Sequence, residues 1–310
     1  MSGDFGYATS MPLVPAADLM SHALRHRYAV GYFESWDVAS LQGVIDAAEQ
    51  WRAPVIIGFN GEFLSGVNRR DEERLEWYAA LGRAAAESAA VPCAFIFNEC
   101  SRDDWVRRAV TAGFNLIMPA DPDAPVEQYT QRVTDITGFA HDHDIAVEAE
   151  LGELPGGHDG APDDRGSVTD PAAAARFVEA TGVDLLAVSV GNVHILIRGE
   201  RSLDLERIAS IRQQVSVPLV LHGGTGIAAD ALREAIALGV AKVNYGTVLK
   251  QRYLAAVRAA LSPRGDGEDP HHLLGIGGED DVLVAGRRAV RDAVHERMEL
   301  LGCRNRAALE

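Results

Sequence analysis

The sequence predicts an α/β protein, a (β/α)8 TIM barrel with a C-terminal helical extension. Three observations predict it. Eight short β-rich runs recur, one unit per roughly 30 residues, over a chain long enough for a barrel of about 250 residues. Each run is continuously apolar rather than alternating, as strands covered on both faces are. Helical patterns separate the runs. A doubly wound open sheet is the competing fold, but no glycine-rich phosphate loop follows the first run.

The runs are YAVGYF (28–33), PVIIGF (54–59), CAFIF (93–97), FNLIM (114–118), IAVEAEL (145–151), DLLAVSV (184–190), PLVLHG (218–223) and AKVNYG (241–246). Helical patterns cover 37–51, 72–90, 103–112, 126–143, 171–181, 204–214 and 228–238. Asp37 is placed to cap the first of these. Asp170 followed by Pro171 is a helix-start signal, a capping acid and then a proline in the first turn. Residues 247–262 extend the last unit as a helix. PRGDGEDPHH (263–272) and GIGGEDD (275–281) read as exposed loops, and 285–301 as an amphipathic terminal helix. The expected organisation is an N-terminal extension (1–18), the barrel (19–262), and a loop plus terminal helix (263–310) packing on the barrel or on a partner subunit.

The chain has 310 residues, with 29 basic against 45 acidic side chains and a net charge of −16. Such acidity opposes binding to nucleic acid or to anionic membranes. No apolar run reaches the roughly 18 residues that a spanning helix needs. Cys93, Cys100 and Cys303 form no disulfide framework and lack close metal-ligand spacing, which suits a reducing compartment. The N-terminal segment has acids and no basic residue, unlike a signal peptide. A cytoplasmic location is the expectation.

Barrel chemistry sits at the C-terminal ends of strands, so those ends carry the functional reading. The third run continues as IFNEC (96–100), placing Asn98 and Glu99 at its tip. The fifth ends in Glu148 and Glu150. The sixth leads to His194, and the seventh ends at His222. A histidine at a strand end is usually a hydrogen-bonded structural group, and a lone glutamate pairs as readily with an arginine. Together, Glu99, His194 and His222 can meet as three ligands of a divalent metal, leaving a position open for substrate. HGGTG (222–226), with Gly223, Gly224, Thr225 and Gly226, precedes a helix, so its backbone N–H groups suit an anion. Arg198 could add a charge-assisted hydrogen bond there or could be a plain surface arginine.

EAELG (148–152), LAVSVGNVH (186–194), PLVLHGGTG (218–226) and KVNYGTVLK (242–250), with YAV (28–30) and PVIIG (54–58), resemble the class II ketose-bisphosphate aldolases, the fructose- and tagatose-bisphosphate enzymes. The similarity runs from about Leu19 to Arg304. It implies a zinc-dependent barrel, a homodimer or homotetramer, that cleaves a ketose phosphate through an enediolate. It implies that His194 and His222 bind the metal and that Glu150 lies in an inner acidic shell. Gly223, Thr225, Gly226, Asn244, Gly246 and Thr247 would contact phosphate and hydroxyl groups. Asp159 would shuttle a proton on a loop, with His158 beside it.

The departures are local. Asn98 stands where the family has an aspartic acid, and Glu99 where it has the third zinc-binding histidine. An amide orients an oxygen but exchanges no proton. Two histidines and a carboxylate suit Mn2+, Co2+ or Fe2+ as well as Zn2+. Glu34 replaces an asparagine, and Glu62 aligns near the substrate-phosphate position; the alternative for each, Glu62 above all, is a side chain that points to solvent. Inward-pointing glutamates would repel a bisphosphate by roughly 1 kcal/mol or more each. The expected function is a metal-dependent carbon–carbon lyase for a small polyhydroxylated ketone or ketose phosphate, with Glu34 a candidate for the missing acid. The alternative is an altered or inactive homologue serving as a binding or regulatory subunit.

Overall fold

A computed structural model of the protein describes residues 12–154, 166–194, 196, 198–262 and 269–309. Eight parallel strands close into a barrel in sequence order, β8 pairing back onto β1. They are β1 (Val30–Glu34), β2 (Val55–Asn60), β3 (Cys93–Cys100), β4 (Leu116–Pro119), β5 (Ala146–Leu151), β6 (Leu185–Val188), β7 (Leu219–Leu221) and β8 (Val240–Tyr245). Helix α1 (Ala16–His26) precedes β1, and α2 (Val38–Trp51) follows it. Both α3 (Gly61–Ser65) and α4 (Leu75–Ser88) lie between β2 and β3. Next come α5 (Asp103–Ala112), α6 (Val126–His141), α7 (Pro171–Thr181), α8 (Leu205–Gln214) and α9 (Ala229–Ala237), one after each of β3 to β7. After β8 come α10 (Thr247–Leu261), α11 (Pro270–Leu273) and α12 (Val282–Leu301).

The helix starts are held by the side chains that signal them. The Asp37 carboxylate accepts the Ser40 N–H at 2.7 Å, and the Ser40 hydroxyl accepts the Asp37 N–H in return. Asp170 and Asp204 cap α7 and α8 by accepting the Ala173 and Arg207 N–H groups. On the outer face of the barrel the apolar runs bury aromatic rings, as where the Phe95 ring lies against Gly82 of α4 and stacks on Phe114 at 4.0 Å. Burial on both faces is why these strands lack alternation.

Three short or terminal helices depart from the sequence expectation. In α1, Leu19, Met20 and Ala23 are buried against strand starts. The preceding chain pairs with β3, Val14 N–H donating to the Cys93 carbonyl, so this segment seals the N-terminal end of the barrel. Helix α3 is a single capped turn. Helix α11 occupies part of the 263–272 stretch read as loop, because Asp269 accepts the His271 N–H and Pro270 suits a first turn.

The long terminal helix α12 lies on α2 and α10. A Cβ at Gly43 of α2 would collide with the Arg287 carbonyl of α12, so glycine permits the close crossing. Arg287 then pairs with Asp46.

Candidate metal centre at the strand ends

The upper interior of the barrel is polar. Tyr32, Glu34, Asn98, Glu148, His222, Lys242 and Asn244 are all buried. Strand alternation accounts for most of them: Asn98 pairs in register with Asn60, and Tyr32 with Asn244.

Glu99 needs another explanation, because the residue after inward-facing Asn98 should face outward. The β3–β4 pairing steps from Phe97↔Ile117 to Cys100↔Pro119, three residues on β3 against two on β4. This is a bulge, and it re-aims a side chain. Glu99 adopts a left-handed backbone with φ 51°. For a residue with a Cβ that conformation costs about 1–3 kcal/mol and is concentrated at functional sites. The result is that Asn98 and Glu99 both reach the barrel mouth.

The two Glu99 oxygens have different tasks. Oε2 accepts the Asn60 Nδ2–H at 2.8 Å, while Asn60 Oδ1 caps α3 through the Phe63 N–H. Oε1 is left to the histidines, 3.2 Å from His222 Nδ1 and 3.5 Å from His194 Nε2. One ligand atom from each of the three residues can be chosen so that all lie within 4.8 Å of one another. His222 is fully buried at the end of β7, and Asn192 Nδ2 donates to its carbonyl. Gly223 follows with φ 67°, and a Cβ there would overlap the Val193 carbonyl, so only glycine brings the His194 segment this close.

Carboxylates surround His222. Nδ1 lies 3.4 Å from Glu150 Oε2 as well as near Glu99, and Nε2 lies 3.0 Å from Glu148 Oε1. Burial alone would lower the His222 pKa, but Glu150, Glu148 and Glu99 together hold it well above 6.5. His194 is likewise raised, burial opposing and Glu99 prevailing. The Glu99 carboxyl is held well below its ordinary value by the two imidazoles, against the effect of burial. In Glu148 the same contest is won by Lys242 and His222, which lower it.

This donor set fits a divalent cation. His222 Nδ1 is buried and makes no directed hydrogen bond, though two carboxylates lie beside it. Two imidazole nitrogens and a carboxylate oxygen suit Zn2+, Mn2+, Co2+ or Fe2+. Glu150 stands close to the same nitrogen.

The other sequence candidates fall into three groups. Glu34 does reach the rim: its side chain is nearly buried and paired with Lys250 at 2.5 Å. Burial raises its pKa, with Lys250 opposing. A pocket of about 300 Å3 opens beside it, lined by Trp36, Asn60, Phe63 and Lys250 among others. Gly224–Gly226 form a single 3-10 turn ahead of α9, and Thr225 Oγ1 accepts the Val248 N–H, tying that turn to the Gly246–Thr247 segment. Glu62 points to solvent on α3, the alternative the sequence left open for it, and accepts the Ser101 hydroxyl at 2.6 Å. Arg198 is exposed. His158 and Asp159 lie outside the described residues. A larger pocket, about 580 Å3 around Arg107, Asp121 and Arg132, contains none of the triad.

Sequence reading passed over Asn60, Tyr32 and Lys242 and gave Glu148 no role. Lys242 carried a signal: a lysine inside the apolar run AKVNY belongs to a buried strand only if it is paired. Asn60 carried none, since an asparagine at a strand end reads as turn chemistry.

Fold and site together define a (β/α)8 enzyme barrel with a candidate divalent-metal centre at the catalytic face. The family profile for fructose-bisphosphate aldolase class-II matches residues 14–306, and the chain belongs to that family. Members are divalent-metal-dependent aldolase-type lyases of sugar phosphates, and the protein is a lyase of this general type. Among solved structures, it is similar to the YdjI aldolase from Escherichia coli K12, at 31% identity and TM-score 0.77 over 96% of this chain and 100% of that one. It is also similar to a putative fructose-1,6-biphosphate aldolase from Coccidioides immitis, at 25% identity and TM-score 0.79 over 94% and 97% of the two chains. The fold is shared with a Campylobacter jejuni fructose-bisphosphate aldolase, at 21% identity and TM-score 0.75 over 95% and 97%. Among the described residues, no helix is long and apolar enough to cross a membrane.

Proposed function

We propose that the protein is a metal-dependent aldolase-type carbon–carbon lyase whose specificity has moved away from bisphosphates. Its substrate is a small polyhydroxylated ketone or a ketose monophosphate, cleaved through an enediolate. Glu99, His194 and His222 hold the metal, and the observation that carries the reading is the β3 bulge turning Glu99 to both imidazoles. A divalent cation bound there supplies Lewis acidity toward a carbonyl oxygen.

The remaining chemistry belongs to side chains. Asn98 orients an oxygen through its amide and transfers no proton. Glu34, paired with Lys250 at the rim, is the carboxyl placed to exchange a proton where the family acid is missing. Asp159, or His158 beside it, moves the proton on the enediolate side, a role carried over from the family motif. One phosphate is held by Gly223, Gly224, Thr225, Gly226, Asn244, Gly246 and Thr247, with Arg198 as a further cation. A second phosphate would have to approach Glu34, whose ion pair already uses Lys250. Sugar substrate, a homodimer or homotetramer and a cytoplasmic setting complete the reading.

The test is elemental analysis of purified protein, then a screen of phosphorylated and unphosphorylated ketoses for aldehyde release. Activity that survives complete metal removal by a chelator would refute it. Asn98 also favours a second reading, an altered homologue retained as a binding or regulatory subunit. That protein has no reason to keep a tight metal site, so purified protein without a stoichiometric cation and without turnover on any ketose would support it.

A further inference from the structure

Lys242 lies inside the barrel on β8 and is completely buried. A lone ammonium there is costly, and one carboxylate would answer that cost. Lys242 has more than one partner. Its Nζ lies 2.7 Å from Glu148 Oε2, and its directed hydrogen bond runs to Glu148 Oε1 at 3.0 Å. It also donates to Asn244 Oδ1 at 2.6 Å, and it sits 5.3 Å from the centre of the Tyr32 ring.

Each partner leads to a different side of the site. Glu148 Oε1 is 3.0 Å from His222 Nε2. Asn244 Nδ2 donates to Asn98 Oδ1 at 3.4 Å. An ammonium only donates, and an ionised carboxylate only accepts. Lys242 therefore fixes the direction of every hydrogen bond in this chain of groups. Toward β7, Glu148 must accept, so Nε2 of His222 carries a hydrogen and Nδ1 is the nitrogen left for a metal to claim. Toward β3, Asn244 must show its oxygen to Lys242 and its amide hydrogens to Asn98. Asn98 then accepts through Oδ1, which leaves its N–H groups as the donors for anything beyond.

We propose that Lys242 is a positioning residue that sets both ends of the site: through Glu148 it makes Nδ1 the metal-binding nitrogen of His222, and through Asn244 it makes Asn98 a hydrogen-bond donor. This rests on the reading of Glu99, His194 and His222 as the metal centre. Acceptors that orient a metal-bound histidine typically change metal affinity 10- to 100-fold when removed. An ion pair that merely filled the barrel would alter stability and leave the metal untouched.

The experiment compares wild type with Lys242→Met/Glu148→Gln, which removes both charges together, and with Lys242→Arg, which keeps the cation. Each is purified metal-free, its Tm is measured, and Co2+ is added against a competing chelator while the visible ligand-field spectrum is recorded. The expected result is a folded double variant with Co2+ Kd raised about 10- to 100-fold and a shifted spectrum. Lys242→Arg should recover most of that loss. A folded double variant with wild-type Kd and spectrum overturns the inference. If the double variant fails to fold, nitrogen-15 histidine spectra of zinc-loaded wild type decide: His222 bound through Nδ1 with Nε2 protonated supports the proposal, and the opposite tautomer ends it. Wild type that takes up no divalent cation refutes the metal centre itself, a distinct outcome.

Discussion

Asn60 uses both ends of one amide, capping α3 with its oxygen and steadying Glu99 with its nitrogen. Asn60→Ala should weaken divalent-metal binding about 10- to 100-fold, measured by chelator competition. The same variant should lose about 1 kcal/mol of stability in denaturant titration, from the cap. Unchanged affinity would mean that Glu99 needs no support. The histidines make a prediction about pH. Their pKa values are raised in the metal-free fold, so their protonation stabilises that fold fully below about 6.5, and the benefit fades as pH climbs through the raised values. A metal must displace those protons. Affinity should therefore increase with pH upward from 6.5, by up to about tenfold per pH unit for each proton released. Chelator competition across that range checks it, and a flat profile would show the imidazoles to be spectators.

Asp281 shows how an element is held by one side chain. Its Oδ1 caps α12 through the Leu283 N–H, and its Oδ2 accepts the N–H groups of Gly275 and Gly277. Those backbone donors, Gly277 foremost, hold its carboxyl below the ordinary value. Asp281→Ala should cost about 1–3 kcal/mol, since a cap and two turn hydrogen bonds are lost together. Equilibrium unfolding would show it; a loss below measurement would mean that α12 is held by its packing on α2 and α10 alone. The β3 bulge is the corresponding device at the site. One extra residue in a strand turns a carboxylate that alternation sends outward into a partner for two histidines.

The triad couples three distant strand ends, so a bound cation should stabilise the molecule as a whole. A ligand that binds only the native state adds about 2.7 kcal/mol at one hundred times its Kd. Saturating Zn2+ or Mn2+ should raise Tm, and excess chelator should reverse the shift, as followed by calorimetry. Identical melting curves would place the cation outside the folded core of the site. The charges inside the barrel, Glu148 and Lys242 with His222, remain compatible with folding because each is answered within 3.0 Å.

Repeat length, continuous apolar runs and capping acids are local properties, and they determined the barrel, the starts of α2, α7 and α8, and the candidacy of Glu99, His194 and His222. Partnerships were not legible, because no local pattern says which strand faces which across a closed sheet. The inward turn of Glu99 depends on a register slip against β4, and the partner of Glu62 is Ser101, 39 residues away. Lys242 was readable as an oddity in an apolar strand, but its meaning required Glu148 and Asn244, residues 94 and 2 positions away in the chain. Side-chain chemistry is written one residue at a time, whereas the cost of burying charge is settled only when the barrel closes and brings the opposite charges together.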